Sequence, residues 1–214
     1  MGNLYQAKTV VEFYSICNKL KTTIRTGWQN WNIKSARVES VAEHIFGMQM
    51  LAIAMYSEYE YDIDICKAAL MIAVHELGEA VIGDITMFSG ISKEEKAKLE
   101  KNAVVTILKD LNCKELILSL FDEFEERKTF LSKFVFQCDK LECDLQSKIY
   151  DEEKIVDLNN QENNPSFKDE RVKQLLKQEK SFSNMWLSFS QSMYEYDNNF
   201  LQVSNFVKNN GINN

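Results

Sequence analysis

The chain has few glycines, prolines and histidines: 7, 1 and 2 copies, respectively, in 214 residues. Tight turns depend on glycine and proline, so their scarcity excludes the many turns of an all-β protein. It predicts instead an all-α fold of long helices joined by short loops. At this length we expect a single domain over residues 1–214, with a core at about residues 25–150 and C-terminal helices at about residues 168–208.

Three other absences restrict the class of protein. No apolar run approaches the ~20 residues of a membrane span, and Met1 is not followed by the basic and apolar regions of a signal peptide. The five cysteines form no C-x-x-C pair and are interpreted as small buried side chains in a reducing compartment. The net charge of −7 disfavours nucleic acid as the main partner. We therefore predict a cytoplasmic protein that binds neither a membrane nor nucleic acid.

Hydrophobic periodicity and capping residues predict helices along most of the chain. The expected helices cover residues 10–20, 40–59, 65–81, 93–111, 114–126 and 128–150, with a last helical region at 170–206. Ser92 and Glu95 fit a capping box at the start of the fourth helix, whose many charges are expected to face solvent. Residues 151–168, which hold the only proline, are expected to form a surface connection, and residues 209–214 a frayed tail.

An aromatic stripe marks the C-terminal helical region. Its members are Phe182, Trp186, Phe189 and Tyr194. Aromatic side chains at helical spacing more often pack in a core or an interface than bind a cofactor. We therefore interpret the stripe as core or dimer packing, and homodimer formation through these helices is a hypothesis.

Both histidines stand in acid-rich segments. His44 follows Glu43, and His75 begins the segment His75-Glu-Leu-Gly-Glu79, with Asp84 shortly after it. The helix before His75 is apolar nearly all round, so we expect it to be buried, and three acids at its end are costly there without a cation. Imidazole and carboxylate groups are common ligands of divalent transition metals. The two segments therefore predict a divalent-metal site.

Asp139 adds a further acid in apolar surroundings. It lies within the apolar run of residues 130–145, where an unpaired carboxylate is expensive. The alternative is an exposed polar stripe, because Lys133 and Lys140 share its helix. For His44 the alternative is an ordinary histidine on an amphipathic helix. A shared metal accounts for these groups together.

Several segments in fixed order carry a family resemblance. They are residues 25–28 (RTGW), 39–44 (ESVAEH), 75–79 (HELGE), 82–86 (IGDIT), 93–96 (KEEK) and 137–142 (QCDKLE). In this order they resemble the HD-domain metal-dependent phosphohydrolases, in particular the branch that contains bacterial 5′-deoxynucleotidases and their eukaryotic HD-domain relatives.

The resemblance implies a helical HD-type bundle with a buried site for one divalent ion, which could be Co, Mn, Fe, Zn or Ni. Its implied ligands are His44, His75, Glu76 and Asp139. It further implies that Glu79 orients or deprotonates the attacking water, that Asp84 holds the substrate or the water network, and that Arg25 contacts the phosphate or the sugar. Lys34 and Arg37 are alternatives for this last role.

The implied reaction is hydrolysis of nucleoside 5′-monophosphates, deoxynucleotides among them, to nucleoside and phosphate. One residue departs from the family pattern: Glu76 stands where the namesake His-Asp pair has Asp. This departure motivates an alternative, a nucleotide-binding or regulatory protein with weak catalysis. A remote alternative is a zinc peptidase, because residues 75–79 come within one position of the H-E-x-x-H motif.

Overall fold

Helices form almost all of the regular structure. The computed structural model describes residues 2–212, and within that range there is no β-strand, only an isolated antiparallel bridge between Ile24 and Ser40. The predicted all-α fold is confirmed. The helices are α1 (Gly2–Cys17), α2 (Thr26–Asn30), α3 (Val41–Tyr59), α4 (Ile65–Val74), α5 (Glu79–Ile82), α6 (Lys93–Leu108), α7 (Lys114–Glu126), α8 (Phe130–Glu152), α9 (Glu170–Gln178), α10 (Phe182–Met193) and α11 (Asn198–Asn210). Short 3₁₀ segments cover Asn18–Lys21 and Pro165–Lys168.

Helix α3 begins with a reciprocal cap. The Ser40 hydroxyl accepts a hydrogen bond from the Glu43 amide, and the Glu43 carboxylate accepts one from the Ser40 amide at 2.8 Å. Buried residues then recur every three or four positions: Val41, His44, Met48, Ala52 and Met55. The helix predicted over residues 40–59 is confirmed, and its inner face carries His44 into the core.

Helix α4 ends earlier than the sequence predicts. The expected helix over residues 65–81 is wrong beyond Val74, because residues 75–78 form a turn and a separate short helix begins at Glu79. Backbone hydrogen bonds in this stretch join residues three apart, as in 3₁₀ structure.

A side chain helps to interrupt α4. The Ile72 carbonyl accepts a hydrogen bond from the His75 ring at Nδ1 (2.8 Å), and the Glu79 amide bonds to the Glu76 carbonyl at 3.1 Å. Gly78 permits the tight turn to lie against α6, since a Cβ there would sit 3.1 Å from the Glu100 carbonyl oxygen. Glu76 and Glu79 therefore lie in and after a turn at the end of α4 rather than along one face of a continuous helix.

The long helix α8 connects the two cores. Thr129 caps its first turn. The helix begins and ends two residues later than the predicted segment 128–150. The larger core lies among α3, α4, α6, α7 and α8. The smaller one joins the tryptophans Trp28 and Trp31 near α2 to Phe182 and Met185 of α10 and to Tyr150. These two cores meet at α8, which contacts both α3 and α10.

The C-terminal region is divided more finely than expected. The predicted helical region at 170–206 consists of three helices, each begun by a capping side chain: Asp169, Ser181 and Asp197. The last helix continues to Asn210, so the predicted tail is shorter, and residues 213–214 of that tail lie outside the described residues. The single-domain boundaries stay a prediction.

Within the described residues no helix combines the length and apolar character that crossing a bilayer requires.

Candidate active site

The structure brings the four predicted metal ligands together. One nitrogen or oxygen from each side chain lies within 4.8 Å of those of the other three, and three of the residues are buried while the fourth is half-buried. The four are His44 from α3, His75 and Glu76 from the turn after α4, and Asp139 from α8. Distant parts of the sequence therefore converge on one centre.

Several of these atoms lack hydrogen bonds. His44 Nε2, His75 Nε2 and Asp139 Oδ1 are buried, and none has a hydrogen-bond partner among the described residues. His44 Nε2 and Asp139 Oδ1 are 3.2 Å apart, but the geometry between them does not meet that of a hydrogen bond. Buried polar atoms without partners are costly. A cation at their common centre satisfies all of them, so this donor set fits a divalent metal.

Each histidine is held by its other ring nitrogen. His44 Nδ1 lies 2.5 Å from Glu142 Oε2, and His75 Nδ1 donates to the Ile72 carbonyl at 2.8 Å. Both Nε2 atoms are thereby left to face the centre, the arrangement that metal-binding histidines usually show. Gly47 makes room for the Glu142 carboxylate, because a Cβ at that position would overlap it.

The electrostatics of the centre favour positive charge. Burial and Arg25 oppose a charged His44 ring, but Glu142 and Asp139 raise its pKa well above the usual range. Burial opposes ionisation of Glu76 too, yet His75 and Arg25 lower its pKa to about 2. The buried Asp139 carboxyl is likewise held well below its ordinary pKa, chiefly by Lys140 at 2.6 Å and by His44. Two ionised carboxylates thus face the same point.

Glu79 lies beside the four candidate ligands, but its carboxyl group has a raised rather than a lowered pKa. Its side chain is 2% exposed, and its Oε2 has no hydrogen-bond partner among the described residues. Burial, reinforced by the neighbouring charges of Glu76 and Asp84, raises its pKa well above the ordinary value. A carboxyl group that binds a proton this readily, in a cavity beside a metal site, suits a general base.

Arg25 reaches the cavity, whereas its two alternatives do not line it. Its Nη1 lies 3.4 Å from Glu76 Oε1, and its Nη2 donates to Cys143 Sγ at 3.2 Å. The side chains of Lys34 and Arg37 are 57% and 84% exposed and pair with surface carboxylates. The geometry therefore favours Arg25 over both for contact with a substrate.

Asp84 fixes the position of the loop that carries Arg25. Its carboxylate accepts the Thr26 amide at 2.6 Å, and its backbone carbonyl accepts the Thr26 hydroxyl at 2.8 Å. Asp84 also lines the cavity. Its predicted contact with substrate stays a prediction, while its contact with Thr26 joins the loop after α5 to the start of α2.

Four charged residues of the site were not singled out from the sequence. The charges of α6 were expected to face solvent, but Lys96 lines the cavity and Glu100 is 9% exposed, the two paired at 3.3 Å. Lys140, beside Asp139, lines the same cavity. Glu142 is the fourth omission, as the partner of His44. The available signal for Lys96, Lys140 and Glu142 was their place in residues 93–96 and 137–142, two segments that carry the family resemblance, whereas Glu100 lies outside both.

The cavity next to the four candidate ligands has a volume of about 240 Å³. Its charged end is formed by Arg25, Glu76, Glu79, Asp84, Lys96 and Lys140. Its apolar and aromatic lining residues come from the α2 region, the loop after α5 and α10, and most of them pack in the smaller core; we call them the apolar end. Such a cavity suits an elongated ligand with one anionic end and one apolar end.

Comparisons of the sequence with known proteins agree with this geometry. The sequence profile described as HD domain matches residues 17–178. The 5′-deoxynucleotidase HDDC2 of Dictyostelium discoideum is 38% identical over 150 residues, which are 67% of this chain and 78% of the relative. The protein of that name from Danio rerio is 35% identical over 147 residues, 67% of this chain and 70% of the relative.

A solved structure shares the arrangement of helices. The crystal structure of a protein from Pyrococcus horikoshii OT3 superposes with a TM-score of 0.66, over 92% of this chain and 98% of that one. The two sequences are 22% identical. The likeness therefore shows the fold and carries no argument about substrate.

Proposed function

This chain belongs to the HD-domain family, and from that membership we propose that it is a metal-dependent phosphohydrolase acting on 2′-deoxynucleoside 5′-monophosphates. The observation that carries the proposal is the convergence of His44, His75, Glu76 and Asp139 at one buried centre. Relatives named 5′-deoxynucleotidase support the substrate class. The cavity supports it too, since its charged and apolar ends match the phosphate and the nucleoside.

The proposed ligands fit a divalent ion because they offer two imidazoles and two carboxylates with unpaired buried atoms. When bound, such an ion withdraws charge from a phosphoryl oxygen and lowers the pKa of a nearby water. Co, Mn, Fe, Zn and Ni all accept this mixed donor set, and we propose one of them as the native ion.

The residues around the centre have complementary roles in the proposed reaction. Glu79, in its ionised form, takes the proton of the attacking water. Arg25 pairs its guanidinium with phosphate oxygens, in place of its present contacts with Glu76 and Cys143. Lys96 and Lys140 add positive charge at the same end of the cavity. The phosphate is thereby held by cations while the nucleoside lies toward the apolar end.

A zinc peptidase is not supported. That alternative needs His75 and Glu79 one turn apart on a continuous helix, and α4 ends at Val74. A nucleotide binder with weak catalysis would keep the same fold and cavity. The ionised Glu76 beside both His75 and Arg25 favours the enzyme, because this carboxylate is placed to act as a ligand despite its extra methylene.

A phosphate-release assay tests the proposal. Deoxy- and ribonucleoside 5′-monophosphates are incubated with the metal-stripped protein and each candidate ion in turn. We expect turnover with at least one ion and faster turnover of the deoxynucleotides. Tight nucleotide binding with no phosphate release under any ion would support the binder instead. The homodimer and the cytoplasmic location stay predictions, and light scattering tests the first.

A further inference from the structure

One side of the cavity comes from a part of the chain that the family match does not include. The HD-domain match ends at residue 178, and α10 (Phe182–Met193) follows it. This helix packs against α8, which carries Asp139. It also lines the cavity, so it lies close enough to contact a substrate, and it stands outside the segment that the HD-domain profile matches.

Four side chains form what we call the apolar wall: Met87, Phe88, Trp186 and Phe189. The first two lie in the loop after α5, and the last two on α10. They line the same cavity as Arg25 and the acids of the charged end, and three of them, Phe88, Trp186 and Phe189, pack against the smaller core. The loop that carries Met87 also carries Asp84, so the wall and the charged end are joined through a short stretch of backbone.

The α10 aromatics are partly exposed, and other side chains lie against them: Trp28 against Trp186 and the Arg171 guanidinium over Phe189. Trp186 and Phe189 are half-buried, whereas Phe182 and Met185 on the same helix are each 1% exposed. The Trp186 ring packs on Trp28 with centroids 4.8 Å apart. Aromatic surfaces held in this way lose little conformational entropy when a flat ligand binds against them.

We propose that the apolar wall binds the nucleobase and that Trp186 and Phe189 set the preference among bases; this rests on the proposed function. With the phosphate at the charged end, the base is the remaining large apolar surface of a nucleotide. Base–aromatic contact tolerates every base because each has a π face. Purines bury more surface than pyrimidines, so the wall favours purine deoxynucleotides.

The test compares substrates with and without a base. Phosphate release is measured for a purine deoxynucleotide, a pyrimidine deoxynucleotide and 2-deoxyribose 5-phosphate. In Phe189→Ala we expect kcat/KM for the purine substrate to fall about 5- to 100-fold. The fall should be smaller for the pyrimidine and far smaller for the sugar phosphate. Phe206→Ala, a phenylalanine 61% exposed on α11, is the matched control and should change none of the three.

Two further variants protect the test against misfolding. Trp186→Ala removes a ring that packs on Trp28, so its unfolding temperature is checked first. Met87→Ala changes a residue that is already 49% exposed and should keep the fold. It should also lower kcat/KM for the purine substrate, as Phe189→Ala does. Equal losses for all three substrates, or no loss in any wall variant, would overturn the proposal.

Failure of the proposed function gives a different result. If the wild-type protein releases phosphate from none of the three compounds, their binding in the presence of Mn²⁺ is measured by calorimetry in place of the kinetics. Binding that depends on the base and weakens in Phe189→Ala would support the wall while the reaction is rejected. Binding that does not respond to the base or to this variant would reject the wall.

Discussion

The two ends of the cavity are built by opposite means. At the charged end, ionisable groups are buried where burial is unfavourable, and they are held there by one another: Glu76 by His75 and Arg25, Asp139 by Lys140. At the apolar end, Trp186 and its neighbours are held by ordinary packing. The charged end therefore depends on a few irreplaceable atoms, whereas the apolar end depends on surface that other side chains could supply.

The largest expected effect separates the two ends by metal content. His75→Ala removes one imidazole ligand and should reduce both metal affinity and turnover by more than about 100-fold. Phe189→Ala, at the apolar end, should retain the wild-type metal content. Elemental analysis of the purified proteins, with phosphate release, measures both. Normal metal content in His75→Ala would remove this residue from the ligand set.

Within the charged end, Glu79→Gln should separate metal binding from chemistry. Loss of the general base should lower kcat by about 10²- to 10⁴-fold while the metal content is unchanged. Because Glu79 must be ionised to act and its pKa is raised, wild-type turnover should rise with pH through that raised pKa. Glu100→Gln is a nearby buried carboxyl control and should lose far less. Near-normal rates in Glu79→Gln would contradict its role.

The next effect concerns a residue that acts on the metal only through a histidine. Glu142→Gln weakens the contact that orients His44, so metal affinity should fall about 10- to 100-fold. Gly47→Ala, which pushes on the Glu142 carboxylate, should act in the same direction. Competition with a fluorescent chelator measures the affinity. At saturating metal both variants should recover most of their turnover, and a loss that excess metal cannot restore would contradict a positioning role.

A smaller effect is expected on stability, through the buried carboxyl of Glu39. Burial, and then Glu142, raises the pKa of Glu39 from 4.5 to about 8, while its carboxylate accepts the Trp28 indole proton. The folded carboxyl binds its proton more tightly than the unfolded one, so folding takes up a proton between these values and stability falls as pH rises through them.

Glu39→Gln removes this ionisation and keeps an acceptor for Trp28. The variant should therefore lose less stability than the wild type between pH 5 and pH 9. At about 1.4 kcal/mol per pKa unit, even one unit corresponds to roughly 3–6 °C in Tm at pH 9 for a chain of this size. Thermal unfolding at both pH values measures it. Parallel pH profiles for the two proteins would show that Glu39 is not a buried titrating group.

The charged end was largely predictable from the sequence. His44, His75 and Asp139 could be identified because ionisable groups within apolar helical segments need partners, and the family resemblance added Glu76. What periodicity could not supply was the neighbour across the fold. In the sequence, nothing distinguishes Glu142 from the other acids of α8. The structure places its Oε2 2.5 Å from His44 Nδ1.

Two local features were also beyond the sequence pattern. The apolar periodicity continues past Val74, so the sequence could not show that the His75 ring bonds the Ile72 carbonyl where the helix ends. At the apolar end, the predicted aromatic stripe was correctly assigned to core packing for Phe182. Trp186 and Phe189 pack against the same core but also line the cavity, because helical spacing gives a face but not what that face meets.

One cation at the charged end is expected to join His44, His75, Glu76 and Asp139. Diffraction from crystals of the native protein, recorded at the absorption edges of Mn, Fe, Co, Ni and Zn, would locate that ion. We expect a single anomalous peak about 2.0–2.2 Å from His44 Nε2, His75 Nε2 and oxygens of Glu76 and Asp139. Crystals soaked with these ions that show no peak there, or a peak bound elsewhere, would contradict the account.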